Sequence, residues 1–164
     1  MRFPKAEVTL PTDSQVLVKR SFDAPRALVY RAHTEPPLMR RWMLGYPGWT
    51  MPVCEMDVRE GGKYRWRWKH EEDGKEFGFH GVFQEVVANQ RLRYTQVFDP
   101  GDFGGNMGDG TLIAVDFAED SGTTTVTNLM DFGTKEARDA AVSTGMTDGM
   151  EVNYQGLDRL VTEL

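Results

Sequence analysis

The sequence predicts an α+β fold in which a curved antiparallel β-sheet wraps around a long C-terminal helix, with two short helices after the first strand. Three observations predict it. From Thr50 to Asp131 the chain reads as short alternating runs separated by turn residues, and helical spacing is largely absent. From about Met146 to Leu164 the period changes: Met146, Met150, Tyr154, Leu157, Val161 and Leu164 follow steps of three and four and share one helical face. Between Phe22 and Gly45, prolines that start and stop helices bracket two short runs of helix formers.

In order, residues 1–13 read as a polar leader and 14–164 as one domain, since 164 residues suffice for a single core and are few for two. Gln15 to Phe22 carries β-branched residues in partial alternation, as a strand would. Asp23 can cap a helix and Pro25 suits its first turn, which Ala27 through Ala32 extend to about Thr34. Pro36-Pro37 breaks that helix, and a second runs from Pro37 to Trp42 before the turn-rich Gly45 to Gly48. Six strands follow, at Val53 to Val58, Gly62 to Lys69, Phe77 to Val87, Leu92 to Phe98, Thr111 to Ala118 and Thr123 to Phe132. Tight links such as Asp73-Gly74 and Ser121-Gly122 make sequential strands antiparallel neighbours. Only Asp99 to Gly110 is long; acidic and glycine-rich, it reads as a mobile loop and a candidate lid. Helical pattern resumes at Lys135, and the last helix, about 19 residues and so about 28 Å long, can cross a small sheet. If that helix and the side chains do not fill the concave face, an apolar cavity remains.

Composition narrows the function. With 19 basic and 25 acidic residues the formal net charge is −6, which disfavours phosphate backbones and makes nucleic acid a poor partner. No apolar run approaches the roughly 18 residues of a membrane span, and the start lacks a signal-peptide hydrophobic stretch, so neither membrane insertion nor export is expected. The one cysteine, Cys54, cannot form a disulfide within the chain, as suits a reducing cytoplasm, the expected location.

Three segments carry a resemblance: FDAPRALVYRAHTEPPLMRRWMLGYPGWTMPVCEMDVREGGKYRWRW, FGFHGVFQEVVANQRLRYTQVFDP and FGTKEARDAAVSTGMTDGMEVNYQGLDRL. Together they resemble the SRPBCC superfamily, in its heat-shock protein 90 ATPase activator homologue-like branch, over nearly the whole chain after the leader. The resemblance implies a START-like helix-grip fold with a hydrophobic cavity between sheet and C-terminal helix. It also implies binding of lipids, polyketides or other hydrophobic molecules, with some members acting as aromatases or cyclases. Fold does not transfer function, and the cochaperone of the branch name carries no bet on chaperone activation.

Side-chain alternation selects the candidate ligand contacts. Tyr64, Trp66 and Trp68 point one way along their strand, and Lys63, Arg65, Arg67 and Lys69 the other, which favours aromatics toward a cavity over a nucleic-acid platform. Tyr94 shares a face with Leu92, Gln96 and Phe98; Asn128 shares one with Val126 and Met130. His80 and Asn128 are the polar residues most worth testing on apolar faces, because a buried polar group needs a partner and a ligand can supply one. Met150 and Tyr154 face the sheet from the last helix, and Trp42 is placed at the cavity entrance. For each, core packing or an internal hydrogen bond is the alternative.

Neither metal nor cofactor is expected. His33, His70 and His80 form no ligand spacing with Cys54. Asp102, Gly104, Asn106 and Asp109 faintly resemble a calcium loop, but Met107 stands where the sharp turn requires glycine. The leading expectation is therefore a binding protein for a small hydrophobic ligand, aromatic, lipid- or polyketide-like, rather than an enzyme. Two alternatives stay open: a polyketide cyclase or aromatase in which His80 or Tyr94 shuttles a proton, and a domain that acts on a chaperone partner.

Overall fold

The computed structural model describes residues 3–101 and 110–164. Eight strands form one antiparallel, curved sheet: β1 (Glu7–Thr9), β2 (Gln15–Phe22), β3 (Trp49–Met56), β4 (Lys63–His70), β5 (Glu76–Val87), β6 (Arg91–Asp99), β7 (Thr111–Asp120) and β8 (Thr123–Asp131). Their spatial order is β1-β2-β8-β7-β6-β5-β4-β3, a meander from β3 to β8 closed by the N-terminal pair. Helices α1 (Arg26–Thr34) and α2 (Pro36–Trp42) link β2 to the far edge, and α3 (Lys135–Ser143) leads to α4 (Met146–Val161), which the sheet grips.

The helix-grip arrangement is as expected, with local corrections. The leader contains β1, which pairs with β2 with Val8 opposite Val18. Val8 and Leu10 stay exposed, so β1 is held by backbone pairing rather than burial, and no apolar pattern announces it. Asp23 does not cap α1: Pro25 occupies the cap position and no side chain caps from within the segment. The Arg26 N–H is instead taken by Glu119 Oε1 at 2.8 Å, from the end of β7. The break before α2 falls at Glu35, whose extended backbone (φ −104°, ψ 115°) is what a following proline imposes, so the helix starts at Pro36. Strand β3 begins at Trp49 rather than Val53; its pairing with β4 shifts between Thr50 and Val53, and Pro52 is tolerated there because β3 is a sheet edge. Helix α4 stops at Val161, and Leu164 beyond it is exposed.

The closed part of the core lies where α1, α2 and the C-terminal half of α4 meet β2, β7 and β8. Val16, Val18, Phe22, Val29, Val126 and Leu157 are fully buried there. Among them stands Arg20, on the same inward parity of β2 as Val18 and Phe22 and only 4% exposed. Its guanidinium donates to Glu151 (Nη2–Oε2, 3.0 Å) and to both Asp158 oxygens (2.8 Å each) on α4. Glu151 also accepts the Ala6 N–H at 2.7 Å, so this cluster ties β1, β2 and α4 together. The His33 ring packs between Trp42 and Phe117, with Nδ1 2.8 Å from the Val29 carbonyl; burial pushes its pKa down to about 4.

Candidate functional site

The other half of the grip is hollow. Strand β4 turns Tyr64, Trp66 and Trp68 inward and leaves Lys63, Arg65 and Lys69 exposed, the division that alternation predicts. Strand β5 sets Phe79 opposite Trp66 and Phe77 opposite Trp68; β6 adds Tyr94 and Phe98. These rings form a continuous wall, with Trp68 stacked on Phe77 (5.3 Å between centroids) and Trp66 edge-on to Tyr94 (6.2 Å). Facing it are Asn128 and Met130 of β8 and Met146, Gly149, Met150 and Asn153 of α4. Between the walls lies a cavity of about 660 Å³, within the range of small-molecule sites.

Two hydrogen bonds hold the rim. The Trp68 indole N–H donates to the Met43 carbonyl at 2.6 Å, and the Gly45 N–H donates to Asn153 Oδ1 at 2.6 Å, so the segment after α2 is pinned to the aromatic wall and to α4. Tyr46, 52% exposed, stands at the outer edge of the lining. Among the described residues none that lines the cavity is charged. Burial lifts the Tyr94 phenol above its ordinary range, and lifts Tyr154 to about 12 despite the opposing pull of the Asn128 amide. Two wall residues leave a buried polar atom with no hydrogen-bond partner among the described residues: Trp66 through Nε1 and Asn128 through Oδ1.

Of the residues singled out from sequence, Trp66, Trp68, Tyr94, Asn128 and Met150 line this cavity. Three others point inward without reaching it. Tyr64 is 3% exposed and donates its hydroxyl to the Thr95 carbonyl at 2.6 Å. Trp42 is not at an entrance: it is 4% exposed, stacks on Tyr154 (6.2 Å) and donates its indole N–H to Ala32 O at 2.8 Å, all in the closed half. Tyr154 is buried beside it, edge-on to Phe22 at 5.3 Å. His80 is a plain correction. It is exposed on the outer face opposite Arg65, because β5 keeps its parity through Gly78 and Gly81, with Phe77, Phe79 and Phe83 inward; its register shifts only beyond Phe83. The proposed lid falls mostly on residues 102–109, outside the described residues, as do Met107 and the calcium-like positions; Gly110 and Thr111 line the cavity.

Cys54 is buried, and that burial raises its thiol to about 11, so it is protonated and unreactive at neutral pH. Among the described residues no group of three or more histidine, cysteine, aspartate or glutamate side chains converges as a metal site would, and no helix is long and apolar enough to cross a membrane. Sequence reading passed over Gln96, Phe98 and Asn153 as principal contacts, although Gln96 and Phe98 share Tyr94's parity. It also missed the Arg20 cluster, whose signal is an arginine at an inward strand position and two acids seven residues apart on one helix.

Comparison with known proteins agrees with this architecture. A crystal structure of a protein from Rhodobacter sphaeroides superposes with a TM-score of 0.89 at 25% identity, over 98% of this chain and 100% of that one. A Nitrosomonas europaea protein gives 0.80 at 23% identity, over 94% and 97%. The solution structure of an AHSA1-like protein from Aeromonas hydrophila gives 0.68 at 20% identity, over 87% and 92%. A search of curated proteins gives no match. The family model described as "Activator of Hsp90 ATPase homolog 1-like protein" matches residues 23–162, so the chain belongs to that family, within the SRPBCC superfamily.

Proposed function

We propose that the protein binds a small hydrophobic ligand, aromatic or lipid- or polyketide-like, in the cavity between α4 and the aromatic wall. One observation carries this reading: a volume of about 660 Å³ walled by Trp66, Trp68, Phe77, Phe79, Met146 and Met150, with uncharged polar groups between them. A pocket of that composition gains affinity from buried apolar area and takes orientation from a few polar atoms. The flat rings supply a rigid surface for stacking, and the methionines opposite adapt to ligand shape.

The cyclase alternative relied on His80 or Tyr94 as proton shuttle. His80 faces away from the cavity, and the raised pKa of Tyr94 suits a neutral hydrogen-bonding phenol rather than a base near neutrality. The family description speaks of a protein partner; the cavity is what favours a small molecule here. Native mass spectrometry of the protein purified from its own host, then denaturing extraction, tests the reading. A released hydrophobic compound that rebinds with one-to-one stoichiometry is expected. An empty protein that also fails to take up any member of a panel of neutral aromatic and lipid probes in thermal-shift assays would overturn it.

A further inference from the structure

The cavity lies on the inner face of the sheet, and the outer face of β4 to β7 carries a surface of a different kind. Lys63, Arg65 and His80 are exposed there, as are Val82 (37%) and Leu112 (55%). Strand register sets four residues in a row across these strands. Lys63 stands opposite Val82, the Val82 N–H donates to Thr95 Oγ1 at 3.0 Å, and Thr95 stands opposite Leu112. Arg65, His80 and Val97 form a second row beside it. Between Lys63 and Val97 the two rows line an open depression, whose floor is left bare at Gly81 because a Cβ there would stand 1.9 Å from the Thr95 carbonyl oxygen.

Charge separates this patch from the rest of the face. Arg67 pairs with Glu76 and Asp99, Arg91 with Asp116 and Arg93 with Glu85, whereas Lys63 and Arg65 form no ion pair among the described residues. Glu55, directly across from Arg65 on the edge strand β3, also forms none. On a chain of net charge −6, two unneutralised cations are thus followed, toward β7, by an exposed valine and an exposed leucine. We infer that this face docks an extended acidic segment of a partner protein, with its carboxylates on Lys63 and Arg65 and a large apolar side chain further along it against Val82 and Leu112. The spacing follows from the sheet: β4 to β7 is three strand intervals of about 4.8 Å, about 14 Å in all, which an extended chain covers in about four residues. Glu55 sets the direction, since it repels carboxylates from the β3 side and turns the segment toward β7. The net negative charge around the patch disfavours a long polyanion or an anionic bilayer, which must meet more of the surface than these two rows.

Fluorescence anisotropy of rhodamine-labelled peptides tests this. The probe is Gly-Asp-Glu-Thr-Ser-Thr-Leu-Leu-Gly, set against an Asn-Gln counterpart and an isomer, Gly-Thr-Ser-Thr-Asp-Glu-Leu-Leu-Gly, in which the acids adjoin the leucines. The probe is expected to bind at least about tenfold more tightly than the Asn-Gln peptide and about threefold more tightly than the isomer. Its advantage over the Asn-Gln peptide should shrink as salt rises from about 50 to about 200 mM. Lys63→Glu combined with Arg65→Glu should cost about tenfold or more and Leu112→Ser about three- to tenfold, while Lys19→Glu, on β2 of the same face, should stay within about twofold. All four side chains are exposed, so these variants keep the fold. Equal affinity for the charged and neutral peptides, or unchanged affinity in either the double variant or Leu112→Ser, would overturn the inference. So would tighter binding to phosphatidylglycerol vesicles, which would assign the patch to a membrane. Self-association in sedimentation that Leu112→Ser abolishes, with no peptide bound, would assign it to a second copy and equally overturn it.

Discussion

Two glycines on α4, seven residues apart on one helix face, look into different environments. At Gly156 an added Cβ would stand 3.3 Å from the Trp42 carbonyl oxygen, against backbone that has little freedom to retreat. At Gly149 nothing lies within 4 Å. The first marks the closed half of the grip, where α2 packs onto α4; the second opens on the cavity. One helix thus serves as core element along its C-terminal half and as cavity wall along its N-terminal half. The closed half, anchored by Arg20, can hold the fold so that the other need not be filled.

That division can be broken from the closed side first. Arg20→Met should destabilise the protein by about 3–5 kcal/mol, because it strands Glu151 and Asp158 beside apolar surface. Urea denaturation checks this, and a loss under about 1 kcal/mol would remove the anchor from the account. Next comes His33, whose folded pKa of about 4 lies below its ordinary 6.5. Between those values the unfolded chain binds a proton that the folded chain does not. Stability is therefore full above about pH 6.5 and falls toward pH 4, by on the order of 2–3 kcal/mol from this group. His33→Phe should flatten that part of the pH profile; an unchanged slope would show that other groups cause it.

From the open side, Trp66→Ala should weaken binding of a neutral aromatic probe about tenfold or more, whereas Arg65→Ala on the exposed outer face should leave it within about twofold. Equal effects in titrations would reverse the facing of β4. The smallest effect sharpens the comparison most. Gly149→Ala should stabilise by about 0.5–1 kcal/mol through helix propensity, while Gly156→Ala should lose that gain to the contact with Trp42. The same sign and size at both sites in thermal melts would mean the two halves are equally packed.

The facing of strands was legible because alternation is a local property: β4, β6 and β8 send inward the residues that parity assigns to them. His80 was misplaced because it was chosen as a polar residue for an apolar face, although Phe77, Phe79 and Phe83 already set the parity of β5 and leave His80 on the other side. Trp42, Tyr64 and Tyr154 show a different limit. Periodicity tells which side of an element faces inward and says nothing of whether the space there is filled; that depends on how α2 approaches α4, a matter of long-range packing. The Arg20 cluster lies beyond local pattern for the same reason, since its partners are 131 and 138 residues away.

The placement of the four tryptophans has an optical consequence. Trp49, Trp66 and Trp68 line the cavity, while Trp42 is sealed in the closed half. An occupant that absorbs in the near ultraviolet will quench the emission of the first three by energy transfer and proximity, whereas loss of the Trp42 environment reports unfolding. The chain therefore carries, without any label, one set of fluorophores that reads occupancy and another that reads the integrity of the fold.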